Sequence, residues 1–143
     1  MDRSSLESLQ PLYVSVYVEG NAGLTNLPGM DPATFHTVVD SVLASAKVAM
    51  ARGEPGHVLE REPVLSVHIN AMRGPDGLIP FAVEIDLIQG VVVANVPNTL
   101  IHAATWDSGT VGLVSENRVA MIKQAVIGIV REFVDDYRVV NPL

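Results

Sequence analysis

Two neighbouring stretches hold residue types that chemistry could use. In VLSVHINAM (Val64–Met72) and FAVEIDLI (Phe81–Ile88) apolar and polar residues alternate, and the turn signal Gly74-Pro75-Asp76-Gly77 lies between them, so the two read as a β-hairpin. Matching apolar to apolar sets Leu65 opposite Leu87, Val67 opposite Ile85, Ile69 opposite Val83 and Ala71 opposite Phe81. The other face then pairs Ser66 with Asp86 and His68 with Glu84, leaving Asp86 a diagonal step from the imidazole. Neighbouring carboxylates orient or protonate a histidine, which makes His68, Glu84 and Asp86 a candidate acid–base or metal group. A metal wants a third or fourth ligand, and His102 is the one further candidate. The plainer reading is a solvated sheet face whose opposite charges pair across strands.

The second stretch, ATWDSGTVGLVS, contains Asp107-Ser108-Gly109-Thr110, the tetrapeptide form that carries the catalytic carboxylate of aspartic proteases. Such an enzyme needs two carboxylates sharing a proton within an all-β barrel. Here a helical pattern fills most of the chain after residue 115. The segment therefore reads as Trp106 closing a strand, Asp107-Ser108-Gly109 making a turn, Gly112 allowing a bend and Ser115 capping a helix. In that reading Asp107 faces no second carboxylate, and Gly109 or Gly112 takes a positive φ.

The elements that must position these residues are legible along the rest of the chain. LYVSVYVEG (Leu12–Gly20) alternates Leu12, Val14, Val16 and Val18 against Tyr13, Ser15, Tyr17 and Glu19, as a strand with one buried face does. Asp31-Pro32 starts a helix as N-cap and first helical residue. Its apolar stripe from Phe35 through Val39 and Leu43 to Met50 predicts a helix reaching about Arg52, stopped by Gly53. Gln89-Gly90 breaks the strand alternation as a bulge or bend does, Asn95–Asn98 reads as a turn, and Thr99–Trp106 as the fourth strand. From Asn117 a second helix carries Ile122, Val126, Ile129, Val130, Phe133 and Tyr137 on one stripe.

The order β-α-β-β-β-α predicts an α+β two-layer sandwich: a mostly antiparallel four-stranded sheet with both helices on one face. The chain of 143 residues reads as a single domain, 1–143, with residues 1–11 a loosely ordered N-terminal segment. Tyr13 and Tyr17 share the outward side of the first strand, where rigid amphipathic aromatics serve a ligand platform or a subunit interface. The loop Gly20–Gly29 lacks the spacings of phosphate-binding loops, and its Leu24, Leu27 and Met30 are expected against the core. His36 and His57 have no partner at useful spacing.

Composition narrows the functional classes. A formal charge of −7 and scattered basic residues oppose binding to nucleic acid. Apolar runs are far shorter than the roughly 20 residues a membrane-spanning helix needs, so a soluble protein is expected. With no cysteine, disulfides and thiolate chemistry are excluded. The polar start MDRSSLESLQ is not expected to act as a signal peptide.

FVDDYRVVNP (Phe133–Pro142) resembles the ending of a family of small, uncharacterised, usually exported bacterial proteins that close in a Phe-x-x-Asp-Tyr-x-x-x-Asn-Pro-like helix. LYVSVYV and TWDSGTVG are similar to that family as well. The resemblance implies a β-α-β-β-β-α fold, a bacterial source and, if a signal peptide has been removed, a periplasmic or exported location, and it transfers no catalytic residue. No catalytic residue, metal or cofactor is assigned. The sequence favours a non-enzymatic domain that binds a partner or self-associates through an open sheet face bearing Tyr13, Tyr17, His68, Glu84 and Asp86. A hydrolase or metal protein built on His68, Glu84 and Asp86 is the alternative.

Overall fold

A computed structural model describes residues 3–52, 62–96 and 98–143. The strands are β1 (Tyr13–Glu19), β2 (Val64–Ala71), β3 (Leu78–Val92) and β4 (Leu100–Ser115); the helices are α1 (Ala22–Thr25), α2 (Pro32–Ser45) and α3 (Ala120–Val140). One sheet runs β1-β2-β3-β4 in space, with β1 and β2 parallel and the other two pairings antiparallel. The long α2 crossover supplies the connection that a parallel pair requires. Helices α2 and α3 pack on one face, as the pattern predicts, and no described element covers the other.

The β2–β3 register is the one that apolar matching gives, with Leu65 on Leu87, Val67 on Ile85, Ile69 on Val83 and Ala71 on Phe81. Those inward residues meet Phe35, Val39 and Leu43 of α2 and Ile122, Val126, Val130 and Phe133 of α3 in one core. Leu24 and Met30 are buried beside it, with Leu27 partly so. Trp106 joins the core edge-on to Phe133, ring centroids 5.2 Å apart.

Helix α2 begins as expected: the Asp31 carboxylate accepts from the Thr34 backbone N–H at 3.0 Å, and Pro32 opens the first turn. It ends sooner than Arg52. Lys47 turns left-handed (φ 59°), and the Val48 and Lys47 N–H groups bond back to Leu43 and Ala44, closing the helix as a Schellman motif. The buried Val48 is its apolar contact, and Met50 forms a parallel bridge with Leu12 instead of a further helical turn. Gly53, expected to stop the helix, and His57 lie outside the described residues.

The largest departure concerns β3 and β4. Strand β3 runs unbroken past Gln89-Gly90 to Val92, and the irregularity falls between Leu87 and Ile88, whose partners Trp106 and Ala104 leave Thr105 as the extra residue. Strand β4 then continues through Asp107-Ser108-Gly109 to Ser115, so Trp106 is mid-strand and the expected turn does not form. Neither Gly109 nor Gly112 has positive φ; among described glycines only Gly29 and Gly77 do. The two strand glycines serve close approach instead. A Cβ on Gly112 would sit 2.7 Å from the Phe81 ring, and one on Gly109 would sit 3.0 Å from the Val83 carbonyl oxygen.

Ser115 also departs from its expected role. It precedes a 3₁₀ turn over Glu116–Arg118, and its hydroxyl meets the Asn117 side chain at 2.5 Å rather than capping a backbone N–H. Helix α3 opens at Ala120 with no side-chain cap.

Within the described part of the N-terminal segment, Arg3, Leu6 and Ser8 make contacts to the end of α3 or to the core. Leu6 is fully buried, and Asn141 clasps the segment by donating to the Leu6 carbonyl at 2.7 Å while accepting from the Ser8 N–H at 3.0 Å. Arg3 donates to Asp136 at 2.7 Å, and Arg138 reaches back to the Ala46 carbonyl. The Phe133–Pro142 pattern thus closes the fold, its polar members joining the C-terminal end of α3 to the N-terminal segment and to the end of α2.

Candidate interaction face

Alternation along four strands sends one row of side chains per strand to the uncovered face. The paired registers order them: Tyr13, Val64 and Ile88 in one row; Ser15, Ser66, Asp86 and Asp107 in the next; then Tyr17, His68, Glu84 and Gly109; then Glu19, Asn70, Ala82 and Val111. Leu113 follows beyond Val111, opposite Pro80. The rows place all five sequence-derived residues, Tyr13, Tyr17, His68, Glu84 and Asp86, on this face.

Their contacts differ from the expected cluster. His68 and Glu84 are register partners, yet the imidazole Nε2 meets Glu19 Oε2 at 3.1 Å, across to β1. The Tyr17 ring leans on the same imidazole, centroids 5.3 Å apart. Tyr17, His68 and Glu19 therefore form one surface group at the β1 side. Tyr13 is separate: it is half-buried, and its hydroxyl is hydrogen-bonded to Glu62, which raises its pKa above the ordinary tyrosine value.

The centre of the face is acidic. Asp107, expected in a turn and facing no carboxylate, stands directly opposite Asp86. Partial burial first, then the negative charges of Glu84 and Asp107, push the Asp86 pKa up, with His68 pulling the other way. The two carboxylates resemble a protease pair only in number, since they lie side by side on an open sheet surface and Asp107 is exposed. Among the described residues no group of three or more His, Asp or Glu side chains could hold a metal ion. The His68/Glu84/Asp86 metal centre thus fails on geometry, with the imidazole turned to Glu19.

The β4 side of the face is apolar. Val111 is 79% exposed and Leu113 62%, and Tyr17, on β1 at the other edge of the sheet, is 61% exposed. A strand that ends at Trp106 leaves Val111 and Leu113 unrecognised and places Asp107 in a turn instead of on this face. Carrying the period of two onward from Trp106 through Val114 would have found them, since Asp107, Gly109, Val111 and Leu113 occupy its odd positions.

Helices on one side and a bare, partly apolar sheet on the other define an α+β two-layer protein with one uncovered sheet face. Its fold is like that of a solved chain: it superposes on one chain of a PelC point-variant dodecamer from Paraburkholderia phytofirmans with TM-score 0.51 and 16% identity, over 92% of this chain and 90% of that one. No protein-family model and no curated protein matches the sequence. None of the described helices is long and apolar enough to cross a membrane.

Proposed function

We propose that the protein is a non-enzymatic interaction domain that self-associates through the uncovered face of its sheet. The observation that carries this is the exposure of Tyr17, Val111 and Leu113 on a face that no described element covers. Large apolar groups left together on one surface favour a partner that removes them from water. The fold-neighbour PelC, a dodecamer, supports a second copy as that partner.

The acidic row shapes the contact. Glu84, Asp86 and Asp107 would oppose like charges if two faces stacked squarely, and like charges held opposite each other repel. Association is therefore offset from the centre of the face and strengthens as salt screens the carboxylates. Sedimentation velocity over a wide range of protein concentration, at low and high salt, tests this. A concentration-dependent shift that grows with salt is expected, whereas a single monomeric species under all conditions would remove the proposal.

A further inference from the structure

We infer that a second copy of this chain adds to the β4 edge, antiparallel and across a two-fold axis at Val111, so that the two sheets become one continuous sheet. Edge pairing rests on the self-association proposed above and places the contact at the β4 border of that face, where Val111 and Leu113 are exposed.

The two edges of the sheet are unlike. At β1 the start of the strand is already covered: the Leu12 N–H donates to Ala49, the Ala51 N–H donates to Leu12 at 2.8 Å, and the His36 ring Nε2 meets the Val14 carbonyl at 3.1 Å. Among the described residues strand β4 has a neighbour only in β3. Over Leu100–Ser115 it holds no Lys, Arg or Pro, residues with which monomeric proteins blunt a long edge.

Hydrogen-bond alternation shows which groups are free. The Met72 N–H donates to Pro80, so even-numbered β3 residues before the bulge turn their polar groups to β2 and odd-numbered ones to β4. The β4 partners of Ile79, Phe81, Val83 and Ile85 are Val114, Gly112, Thr110 and Ser108, and these spend their backbone groups on β3. Asp107, Gly109, Val111 and Leu113 then direct N–H and C=O outward. The open stretch is bounded at the bulge, where Ser5 donates to the Thr105 carbonyl. Thr110 is exposed although it lies on the helix side, so the helical layer does not overhang the edge.

A two-fold axis at Val111 makes this stretch self-complementary. Val111 meets its own copy, Leu113 covers the side-chain-free Gly109, and Ser115 lies opposite the Asp107 carboxylate. Asp107 never meets its counterpart, and the most exposed apolar side chain of β4 is buried at the axis. Because Leu12 and Val14 are already engaged at the other edge, β4 pairs with β4 and the contact closes as an isologous dimer instead of propagating.

The chain has no cysteine, so single Val111→Cys and Tyr17→Cys variants report contact cleanly. A hydrogen-bonded antiparallel pair sets Cα atoms about 5.5 Å apart, within disulfide range. Under mild oxidation Val111→Cys should crosslink at least tenfold faster than Tyr17→Cys, and Val111→Pro should halve the mass seen by light scattering. The Val111 N–H faces away from β3, so proline there spares the internal ladder; an unchanged circular dichroism spectrum checks this, and Val111→Lys repeats the test without altering the backbone. Crosslinking of Tyr17→Cys but not Val111→Cys would overturn edge pairing and leave self-association through the face intact. A monomer at every concentration would overturn both.

Discussion

The Trp106 indole N–H donates to Asp136 Oδ2 at 2.9 Å, while Arg3 holds Oδ1 of the same carboxylate at 2.7 Å. One carboxylate thus ties the middle of β4, the end of α3 and the N-terminal segment together. Trp106 is buried, so removing its acceptor leaves an indole N–H without a partner. Asp136→Ala should cost about 1–3 kcal/mol in urea unfolding. Asp136→Asn, which keeps an acceptor oxygen, should cost clearly less; equal losses in the two variants would show that the indole bond is not the source.

Acid stability follows from opposing carboxylates. The Trp106 bond and then the Arg3 bond lower the Asp136 pKa, and the Thr34 side-chain and backbone bonds lower that of Asp31. A lowered folded pKa gives stability that is present above the unfolded carboxylate range and lost as pH falls through the folded value. Asp86 runs the other way: its raised pKa opposes folding at neutral pH, and protonation relieves it. The melting temperature of Asp136→Asn should therefore converge on that of the native chain as pH falls below about 4, and a constant gap would contradict the linkage.

Asp86→Asn tests the acidic row. It removes one of two carboxylates facing each other across β3 and β4, and like charges directly opposite destabilise a sheet by a few tenths to about 1 kcal/mol. The variant should match or exceed the native stability at pH 7, lose that gain in acid, and self-associate at lower salt. Weaker folding at pH 7 would mean that Asp86 has a favourable partner.

Lys47 holds a left-handed backbone at φ 59° at the end of α2, a conformation that glycine adopts without steric cost. Lys47→Gly should stabilise the protein by about 0.5–1 kcal/mol, whereas Lys47→Val should destabilise it. Thermal melts of the pair read the sign directly.

Gly112→Ala should destabilise by about 1–3 kcal/mol, because the new Cβ would meet the Phe81 ring at 2.7 Å. In a Phe81→Leu background the same change should cost less, the two residues being in contact. Additive losses in a double-mutant cycle would argue that the glycine is needed for another reason.

The hairpin was legible to the residue because alternating Leu65, Val67 and Ile69 against Leu87, Ile85 and Val83 admits one apolar register. The core stripes of α2 and α3 were legible for the same reason, each periodicity having one buried side. β4 was not, because Ser108, Gly109, Thr110 and Gly112 are residues that turns favour. Ser108 is polar on the inner side because it reaches the sheet rim and bonds Glu132 at 2.6 Å. The end of α2 is not legible in the sequence because Gly53 resembles a C-cap, while the long-range Leu12–Met50 bridge rewards a helix that stops at Lys47.

By itself the sequence determined the two-layer class, the β2–β3 register, the inner face of each element and the acidic, cysteine-free composition. These follow from local periodicity and from side-chain chemistry, which hydrophobic burial reads residue by residue. Only the tertiary structure decided that β1 lies parallel at the edge beside β2, that His68 turns to Glu19 instead of Glu84, and that Asp107 faces Asp86. It alone also showed that β4 is a long strand paired on one side among the described residues while the start of β1 is covered. Each of these is a contact between residues distant in the chain, set by which strands pair and by the space left beside them, and no local pattern encodes that choice.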